Sequence, residues 1–177
     1  MKVSQALLSR RSTRAFLAKP VEQEKIIAIL DHAKWTPSGV NTQPWQVYVL
    51  TGSAKQRLSE KLLSAFESGQ KSAMDYQYYP KEWKEPYKGR RVALGKQMFE
   101  LLAIGREDKV ARLQQWGRNE LGFDAPCLLI FTIDEVLEKG SYLEYGMFLQ
   151  SVMLMAQELG LSTCPQASLV EYPSVLQ

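Results

Sequence analysis

The sequence predicts an α+β fold, because helical patterns fill most of the chain and strand-like stretches are few. Residues 45–51 and 125–133 have the β-branched and aromatic composition of strands. Most other stretches place apolar residues at helical spacing. With 177 residues, 45% hydrophobic and 23% charged, the chain has a globular composition and enough length for one domain with a buried core.

Six helices are predicted in chain order. They begin with a short helix after Ser4 and continue near residues 22–35, 54–67, 92–104, 108–121 and 142–159. In the second helix, Ile26 and Ile29 belong to an apolar stripe that follows the 3.6-residue repeat. Pro37 ends that helix, and Gly160 ends the sixth.

Both strands and the sixth helix are expected to lie inside the protein. Residues 45–51 resemble a buried strand, and the continuous apolar run at 125–133 predicts a central strand covered on both faces. Helix 142–159 is apolar around most of its circumference. It is therefore predicted to be buried, or packed against a second subunit.

An aromatic segment, residues 76–87, interrupts the regular patterns. It interleaves four tyrosines and a tryptophan with prolines and lysines, inside a stretch from 69 to 91 without clear periodicity. A loop of this length in a compact domain is usually functional or mobile. Packing against the protein and a lid over a ligand are both open interpretations.

Composition also excludes several kinds of protein. The net charge of +3 is mild and no nucleic-acid-binding module is found, so no nucleic-acid partner is expected. His32 is the only histidine, and Cys127 and Cys164 form no metal-binding or disulfide pattern, so no metal is expected. No signal peptide or long apolar run occurs, which predicts a cytoplasmic protein without membrane contact.

The arginine segment, Arg10 to Arg14, concentrates three guanidinium groups and two hydroxyl groups in five residues. Planar N–H forks match phosphate oxygens, so the segment is suited to hold a phosphate. A polar loop, Pro37 to Gln43, follows the next helix and carries turn-forming residues. Together they favour one extended site for a phosphorylated, planar ligand. The alternative interpretations are a solvated charge run for the arginine segment and a simple connecting loop for residues 37–43.

These two motifs together resemble the amino-terminal signature of the nitroreductase family of flavoproteins. The pattern R-R-S-x-R-x-F is followed by a helix and then by P-S-x-x-N-x-Q-P-W. Asp124-Ala125-Pro126 before an apolar strand, and the run from Gly160 to Gln166 after a long helix, fit the family in order. The resemblance covers most of the chain.

The resemblance implies a single nitroreductase-like domain over residues 1–177, with a small, mainly antiparallel sheet enclosed by helices. It also implies a homodimer in which two subunits share the ligand sites. Family members usually continue with a glycine-rich strand, a basic residue for the flavin phosphate and a tail around the partner subunit. The chain, which stops at Gln177, is therefore expected to be truncated at its carboxyl end.

The activity implied by the resemblance is FMN-dependent reduction by a ping-pong route. NADH or NADPH delivers hydride to flavin N5, and a nitroaromatic, quinone or related acceptor then removes it. Because the flavin carries the chemistry, no catalytic side chain is expected. The alternatives are a flavin-binding or storage protein or degenerate homologue without turnover, and different flavin chemistry such as reductive dehalogenation or flavin breakdown.

The resemblance also assigns cofactor-binding positions, residue by residue. Arg10 and Ser12 match contacts to the flavin phosphate, Arg14 matches the basic residue at the N1–C2 carbonyl edge, and Arg11 matches a position of variable chemistry. The remaining positions lie in the polar loop, before the second strand, and after the sixth helix: Pro37, Ser38, Gly39, Asn41, Gln43, Asn119, Pro165, Gln166 and Ala167. The polar loop is expected to face a flavin bound mainly by the other subunit.

Cys164 has two interpretations. A thiol beside a proline could be reactive, but cysteine is commonly a small buried residue, and no base accompanies this one. In the family, a proline-containing turn here covers one flavin face, and a backbone N–H near Ala167 bonds N5. The expectation is therefore that the backbone acts here and the sulfur does not.

Overall fold

Two antiparallel strands and seven α-helices form the regular structure of residues 1–69 and 72–176, the part of the chain described by the computed structural model. The helices are α1 (Val3–Ser9), α2 (Gln23–Ala33), α3 (Gly52–Glu67), α4 (Tyr87–Leu101), α5 (Lys109–Gly117), α6 (Lys139–Glu158) and α7 (Pro173–Leu176). The strands are β1 (Gln46–Thr51) and β2 (Cys127–Thr132). Short 3-10 turns occur at Gly39–Asn41, Gly122–Asp124 and Ser168–Glu171.

The chain packs as two compact units. The sheet unit comprises Met1–Gln56 and Asp124–Pro165, and the helical unit comprises Arg57–Phe123 and the chain from Gln166 onward. Helix α3 begins in the first and ends in the second. The prediction of a single domain over residues 1–177 stays a prediction.

The small antiparallel sheet predicted from the sequence is confirmed. β1 and β2 pair from Gln46 opposite Thr132 to Thr51 opposite Cys127. The expectation that residues 125–133 form a central strand is wrong for the described residues, where β2 has β1 as its one partner. An apolar run indicates that a strand is covered, but helices can cover it as well as other strands. The run therefore does not show how many strands it pairs with.

The expectation that β1 is a buried strand is also wrong. Tyr48 and Val49 are 55% and 39% exposed, and Val47 and Leu50 are half-buried. β-branched and aromatic residues indicate that a stretch is extended, but they do not show which of its faces is covered.

One face of α6 forms the core of the sheet unit. The residues buried in this core recur at helical spacing on α6 and meet two positions of α2: Tyr145, Phe148, Val152, Ala156, Ile29 and Ala33. Trp45, just before β1, stacks on Phe148 with ring centroids 4.8 Å apart and planes 3° apart. The sheet and α2 therefore share one apolar layer built on α6.

The hydroxyl group of Tyr145 fixes α6 to the end of the sheet. It accepts the N–H of Gln46 at 3.1 Å and lies 2.8 and 2.9 Å from the carbonyl oxygens of Gln46 and Thr132. Burial raises the pKa of Tyr145 to about 12, so the hydroxyl keeps its proton as a hydrogen-bond donor at neutral pH.

The other face of α6 is open, so of the two predicted arrangements, burial within the chain is found for one face only. Leu143 and Met147 are 77% and 45% exposed. The alternative, packing against a second subunit, stays a prediction. The helix ends as predicted at Gly160, whose φ of +73° suits glycine, and the N–H of Leu161 donates to the Ala156 carbonyl at 2.8 Å.

The helical unit has its own core around α3 and the carboxyl-terminal residues. Leu62, Ala65 and Tyr172 are its buried members. Gly117 of α5 lies against α3, where an added Cβ would meet Leu63 at 3.2 Å. Asp108 caps α5 by accepting the N–H of Ala111 at 2.9 Å, so α5 begins where the sequence predicts.

Helix α4 begins at Tyr87, five residues before the predicted position at residue 92. Residues 87–91 are exposed, so they lack the apolar stripe from which an amphipathic helix is recognised. The Arg90 N–H donates to the Pro86 carbonyl at 3.2 Å and closes the first turn. None of the described helices combines the length and apolar character needed to cross a bilayer.

Candidate functional site

The arginine segment runs extended after α1 and is fixed to the chain that follows α6. Ser12 forms an isolated parallel bridge with Thr163, and the Thr13 N–H donates to the Thr163 carbonyl at 3.0 Å. Thr163 directly precedes Cys164 and Pro165. Two motifs that are about 150 residues apart in the sequence therefore lie side by side in the sheet unit.

The three arginines of this segment are held differently. Arg11 Nη1 donates to the carbonyls of Leu8 and Arg10, at 2.5 and 3.0 Å, and thereby covers the end of α1. Arg14 is exposed and lies close enough to Cys164 to affect its titration. Within residues 1–69 and 72–176, the half-buried Arg10 guanidinium makes no hydrogen bond or ion pair. The segment thus offers cationic donors beside the half-buried Ser12 hydroxyl.

The thiol of Cys164 has the properties of a packed side chain. Burial raises its pKa, and the positive charge of Arg14 acts in the opposite direction with a smaller effect. The thiol therefore stays protonated at neutral pH, and a protonated thiol is a poor nucleophile. Cys127 is also free, and burial raises its pKa as well.

The polar loop adopts a backbone that non-glycine residues rarely use. Val40, Asn41 and Gln43 have φ values of 45°, 59° and 49°. Inside the loop, the Gln43 N–H donates to Ser38 Oγ at 2.9 Å. Left-handed conformations are costly for a β-branched residue such as Val40, and they persist where surrounding bonds or a function hold them.

Glu144 of α6 anchors this loop. Its Oε1 accepts the N–H of Gly39 at 2.7 Å, while its Oε2 is buried and has no hydrogen-bond partner in the described part of the chain. A Cβ at Gly39 would lie 2.8 Å from Oε1, so the carboxylate approaches this backbone only because residue 39 is a glycine. The sequence analysis missed Glu144, although an acidic residue within a strongly apolar helix was a signal for it.

The polar loop and the arginine segment are fixed near different ends of α6. The loop is held by Glu144 in the first half of the helix, and the arginine segment by Thr163 beyond its last residue, Glu158. The 20 residues of α6 correspond to a length of about 30 Å. The structure joins each motif to α6 or its continuation.

Asn119 and Gln166, candidates from separate parts of the sequence, meet in the helical unit. Gln166 Nε2 donates to the Asn119 carbonyl at 2.8 Å, and Asn119 Nδ2 donates to the Trp116 carbonyl at 2.9 Å. Ala167 is half-buried and begins the turn Ser168–Glu171. The two amide groups thus have internal partners, a pairing that sequence spacing does not indicate.

The aromatic segment is partly organised by its own rings. Tyr78 and Tyr79 pack edge to face with centroids 4.7 Å apart, and Trp83 lies 5.6 Å from Tyr79. Arg91 of α4 lies over the Trp83 ring at 5.3 Å. Tyr78 and Tyr79 remain about half exposed. The packing interpretation is therefore supported, and the segment still presents aromatic surface to solvent.

The donor set of the sheet unit fits a phosphorylated ligand. Arg10, Arg14 and Ser12 supply charged and neutral donors, the combination that phosphate oxygens accept. Nothing acidic occurs between residues 10 and 19, so no neighbour in sequence neutralises these arginines. The sulfur beside them is protonated, and the chemistry of the site would have to come from its ligand.

Proteins with related sequences are known. A 4-nitrobenzoate reductase from Pseudomonas putida is 42% identical over 169 residues, which cover 96% of this chain and 74% of that protein. A chloronitrobenzene nitroreductase from Comamonas testosteroni is 40% identical over 165 residues, 93% of this chain and 73% of that protein.

The fold is shared with a solved structure as well. The crystal structure of the FMN and NADPH-dependent nitroreductase NfnB from Sphigopyxis sp. strain HMH superimposes with a TM-score of 0.93 at 34% identity. The match covers 99% of this chain and 79% of that one. The sequence profile of the Nitroreductase family matches residues 7–172. The chain belongs to the nitroreductase family, and it is an oxidoreductase of that family.

Proposed function

We propose that this protein is an FMN-dependent enzyme that reduces nitroaromatic compounds with NADH or NADPH. The observation that carries the proposal is the bridge between Ser12 and Thr163, which sets the arginine segment beside Cys164 and Pro165. Family resemblance assigns these two motifs to the phosphate and to the ring of the flavin. Relatives named for 4-nitrobenzoate and chloronitrobenzene support nitroaromatic acceptors.

The residues of the chain would bind and orient the cofactor. Arg10 and Ser12 would hold the phosphate of FMN, and Arg14 would supply positive charge at the pyrimidine edge of the ring. Pro165 and the backbone near Ala167 would cover one face of the ring. When bound, FMN supplies hydride transfer at N5, from the nicotinamide to the acceptor. The amides of Asn119 and Gln166, which already have internal partners, would act by shaping the backbone.

The order of binding that we propose is ping-pong. The nicotinamide nucleotide leaves before the acceptor enters the same space, so one open face has to admit both. Quinones and related planar acceptors would use the same space, because they are flat, conjugated electron acceptors as nitroaromatics are.

We further propose a homodimer in which the polar loop completes the site of the other subunit. The loop and the arginine segment are fixed near different ends of α6, as expected if each serves a different copy of the ligand. Val40 at the tip of the loop is 98% exposed, and Leu143 and Met147 leave apolar surface on α6. A second subunit would cover these side chains. The polar loop would then contact the flavin of the second subunit through Pro37, Ser38, Gly39, Asn41 and Gln43.

The location that we propose is the cytoplasm. Both cysteines of the sequence are free, which agrees with a reducing compartment. Fractionation of the source cells, followed by immunodetection, would test the location.

The decisive experiment is anaerobic reduction of the purified protein. After reconstitution with FMN, the yellow protein should bleach with NADH or NADPH and recover its colour when 4-nitrobenzoate is added. Steady-state rates at several fixed acceptor concentrations should give the parallel double-reciprocal lines of a ping-pong order. A protein that binds FMN without bleaching would be a flavin-binding or storage protein. Bleaching without reoxidation by nitroaromatics or quinones would favour different flavin chemistry.

The dimer is tested separately, by size-exclusion chromatography and by thermal melts with and without FMN. A ligand that binds only the folded state adds about 2.7 kcal/mol at a hundredfold excess over its dissociation constant. A dimer whose melting temperature rises with FMN is expected. A monomer whose melting temperature is indifferent to FMN would contradict both the shared site and the flavin site.

A further inference from the structure

A second, chemically opposite site lies in the helical unit. A cavity of about 230 Å³ is lined by three aromatic side chains, two carboxyl groups, an amide, a hydroxyl group and a glycine: Phe66, Trp116, Tyr172, Glu120, Glu171, Asn119, Ser168 and Gly69. No lysine or arginine lines it among the residues that the structure describes. We refer to it as the carboxylate pocket.

Glu120 is the unusual member of this pocket. It is 3% exposed, and its Oε2 is buried without a hydrogen-bond partner among residues 1–69 and 72–176. A buried carboxylate oxygen without a partner is costly, because its lost hydration is not replaced. Ser168 Oγ is also buried and has no hydrogen bond of normal geometry, although it lies near enough to Glu120 to lower its pKa. Among the described residues, Glu120 Oε2 and Ser168 Oγ thus line the pocket with unused hydrogen-bonding capacity.

The lining selects the charge of a ligand. Glu171 lies close enough to Glu120 for its charge to raise the pKa of Glu120, and two neighbouring carboxyl groups would repel an anion and attract a cation. The described residues contain no group of three or more His, Cys, Asp and Glu side chains suited to a metal ion. Aromatic walls instead suit an organic cation, because ring faces attract ammonium groups.

The size of the cavity limits the ligand further. Its volume far exceeds the roughly 30 Å³ that one water molecule occupies, and it is smaller than the roughly 300–1,000 Å³ of sites for drug-sized molecules. Gly69 and Trp116 are exposed at its rim, so the pocket opens to solvent. A short alkyl chain with one protonated nitrogen would match these dimensions.

We propose that the carboxylate pocket binds a small protonated amine, whose N–H groups donate to Glu120 and Ser168 and whose apolar body packs against Phe66, Trp116 and Tyr172. The proposal concerns a site separate in chemistry from the anion-binding donors of the sheet unit. It does not depend on the proposed reductase activity.

The pH dependence of this binding follows from the groups that face Glu120. Burial first, and then the charge of Glu171, raise the pKa of Glu120, Ser168 acts in the opposite direction, and together they bring it to about 7. Tyr172 also faces these groups, and its own pKa is raised by burial and by both carboxylates. Phe66 and Trp116, from α3 and α5, carry no charge. The amine should therefore bind more tightly at pH 8, where Glu120 is ionised, than at pH 6.

The test is isothermal titration calorimetry of the purified full chain with n-butylammonium chloride at pH 8 and pH 6. n-Butanol serves as the neutral probe of the same shape. Saturable binding of butylammonium is expected at pH 8, with weaker binding at pH 6 and none for butanol. Glu120→Gln should weaken binding at least tenfold. Glu107→Gln removes an exposed carboxylate of the same unit and should leave the affinity unchanged.

Circular dichroism of each variant checks folding, and Glu171→Gln supplies a second variant if Glu120→Gln does not fold. Equal binding of butylammonium and butanol would overturn the proposal. So would an unchanged affinity in the folded Glu120→Gln protein, or the absence of saturable binding at pH 8.

Discussion

The arginine segment and the carboxylate pocket differ in charge, exposure and hydrogen bonding. The arginine segment presents hydrogen-bond donors: Arg14 is exposed, and the half-buried Arg10 has no ionic partner within the described residues. The carboxylate pocket presents acceptors, and Glu120 is 3% exposed with an unpartnered oxygen. Hydrated donors cost the free protein little, whereas a buried acceptor loses its hydration whether or not a ligand is present. Removing the donors of the arginine segment should therefore change ligand affinity, whereas removing the buried acceptor of the carboxylate pocket should change stability as well as ligand affinity.

The largest effect is expected from the arginine segment. The double substitution of Arg10→Ala with Ser12→Ala should weaken FMN binding by about 3 kcal/mol or more, roughly a hundredfold, because each hydrogen bond to a charged phosphate contributes about 1.5–3 kcal/mol. Riboflavin, which lacks the phosphate, should bind equally to both proteins. Fluorescence titration measures both affinities.

The control for this double variant is Arg106→Ala, which removes an exposed arginine outside the segment. Its FMN affinity should match that of the unmodified protein. A double variant that retains full FMN affinity would show that the arginine segment is not part of the FMN site. The segment would then not be the ligand-binding counterpart of the carboxylate pocket.

The second largest effect is expected in the pH dependence of stability, to which the buried Glu120 of the carboxylate pocket contributes. The folded-state pKa of Glu120, about 7, lies above its ordinary value of 4.5. Folding therefore favours the protonated carboxyl, and this contribution to stability is fully present below pH 4.5 and lost as pH rises to about 7. Glu120→Gln has no titrating carboxyl group at this position and should not lose stability in this way as pH rises. At pH 8 it should therefore be more stable than the unmodified protein, by at most about 3 kcal/mol.

Urea unfolding at pH 5 and pH 8 measures this difference. Glu107→Gln should keep the pH dependence of the unmodified protein, because its carboxylate is exposed. An equal pH dependence in the Glu120→Gln protein would show that this carboxyl group is hydrated in the folded state. The arginine segment and the carboxylate pocket would then differ in charge alone.

A smaller effect is expected in the polar loop, where the cost lies in the backbone. Val40 has a φ of 45° and is 98% exposed, so its side chain contributes little packing. Asparagine tolerates the left-handed region better than valine, and Val40→Asn should raise the free energy of unfolding by about 1 kcal/mol.

Val136→Asn is the matched control, because Val136 is 77% exposed and is not among the residues with positive φ. Chemical denaturation of both variants measures their free energies of unfolding. If Val40→Asn stabilises the protein but reduces FMN affinity, the loop conformation serves the ligand. If it destabilises the protein, the Val40 side chain has a packing role in the assembled protein.

The smallest effect is expected at Cys164, beside the arginine segment. Burial holds its thiol protonated at neutral pH. Cys164→Ser should therefore keep nitroreductase turnover within about twofold, because the bound cofactor carries the chemistry. Turnover that collapses while FMN stays bound would assign a redox role to the sulfur.

Local patterns predicted most elements of the fold, because each pattern depends on a few neighbouring residues. The spacing of Ile26 and Ile29 indicated α2, and the glycine at 160 indicated the end of α6. The early start of α4 at Tyr87 was missed because its first turn is exposed and carries no apolar stripe. The burial of β1 was overestimated, since composition does not reveal which faces a neighbour covers.

By itself the sequence determined six of the seven described helices, the two strands, the candidate phosphate donors and the family, because propensity, spacing and motif are properties of short stretches. Only the tertiary structure decided which distant residues meet. The bridge from Ser12 to Thr163, the bond from Gly39 to Glu144 and the burial of Glu120 against Glu171 join positions that are 50 to 150 residues apart. No local rule reports such pairs, because hydrogen bonds and desolvation act through space between segments that only the packed chain brings together.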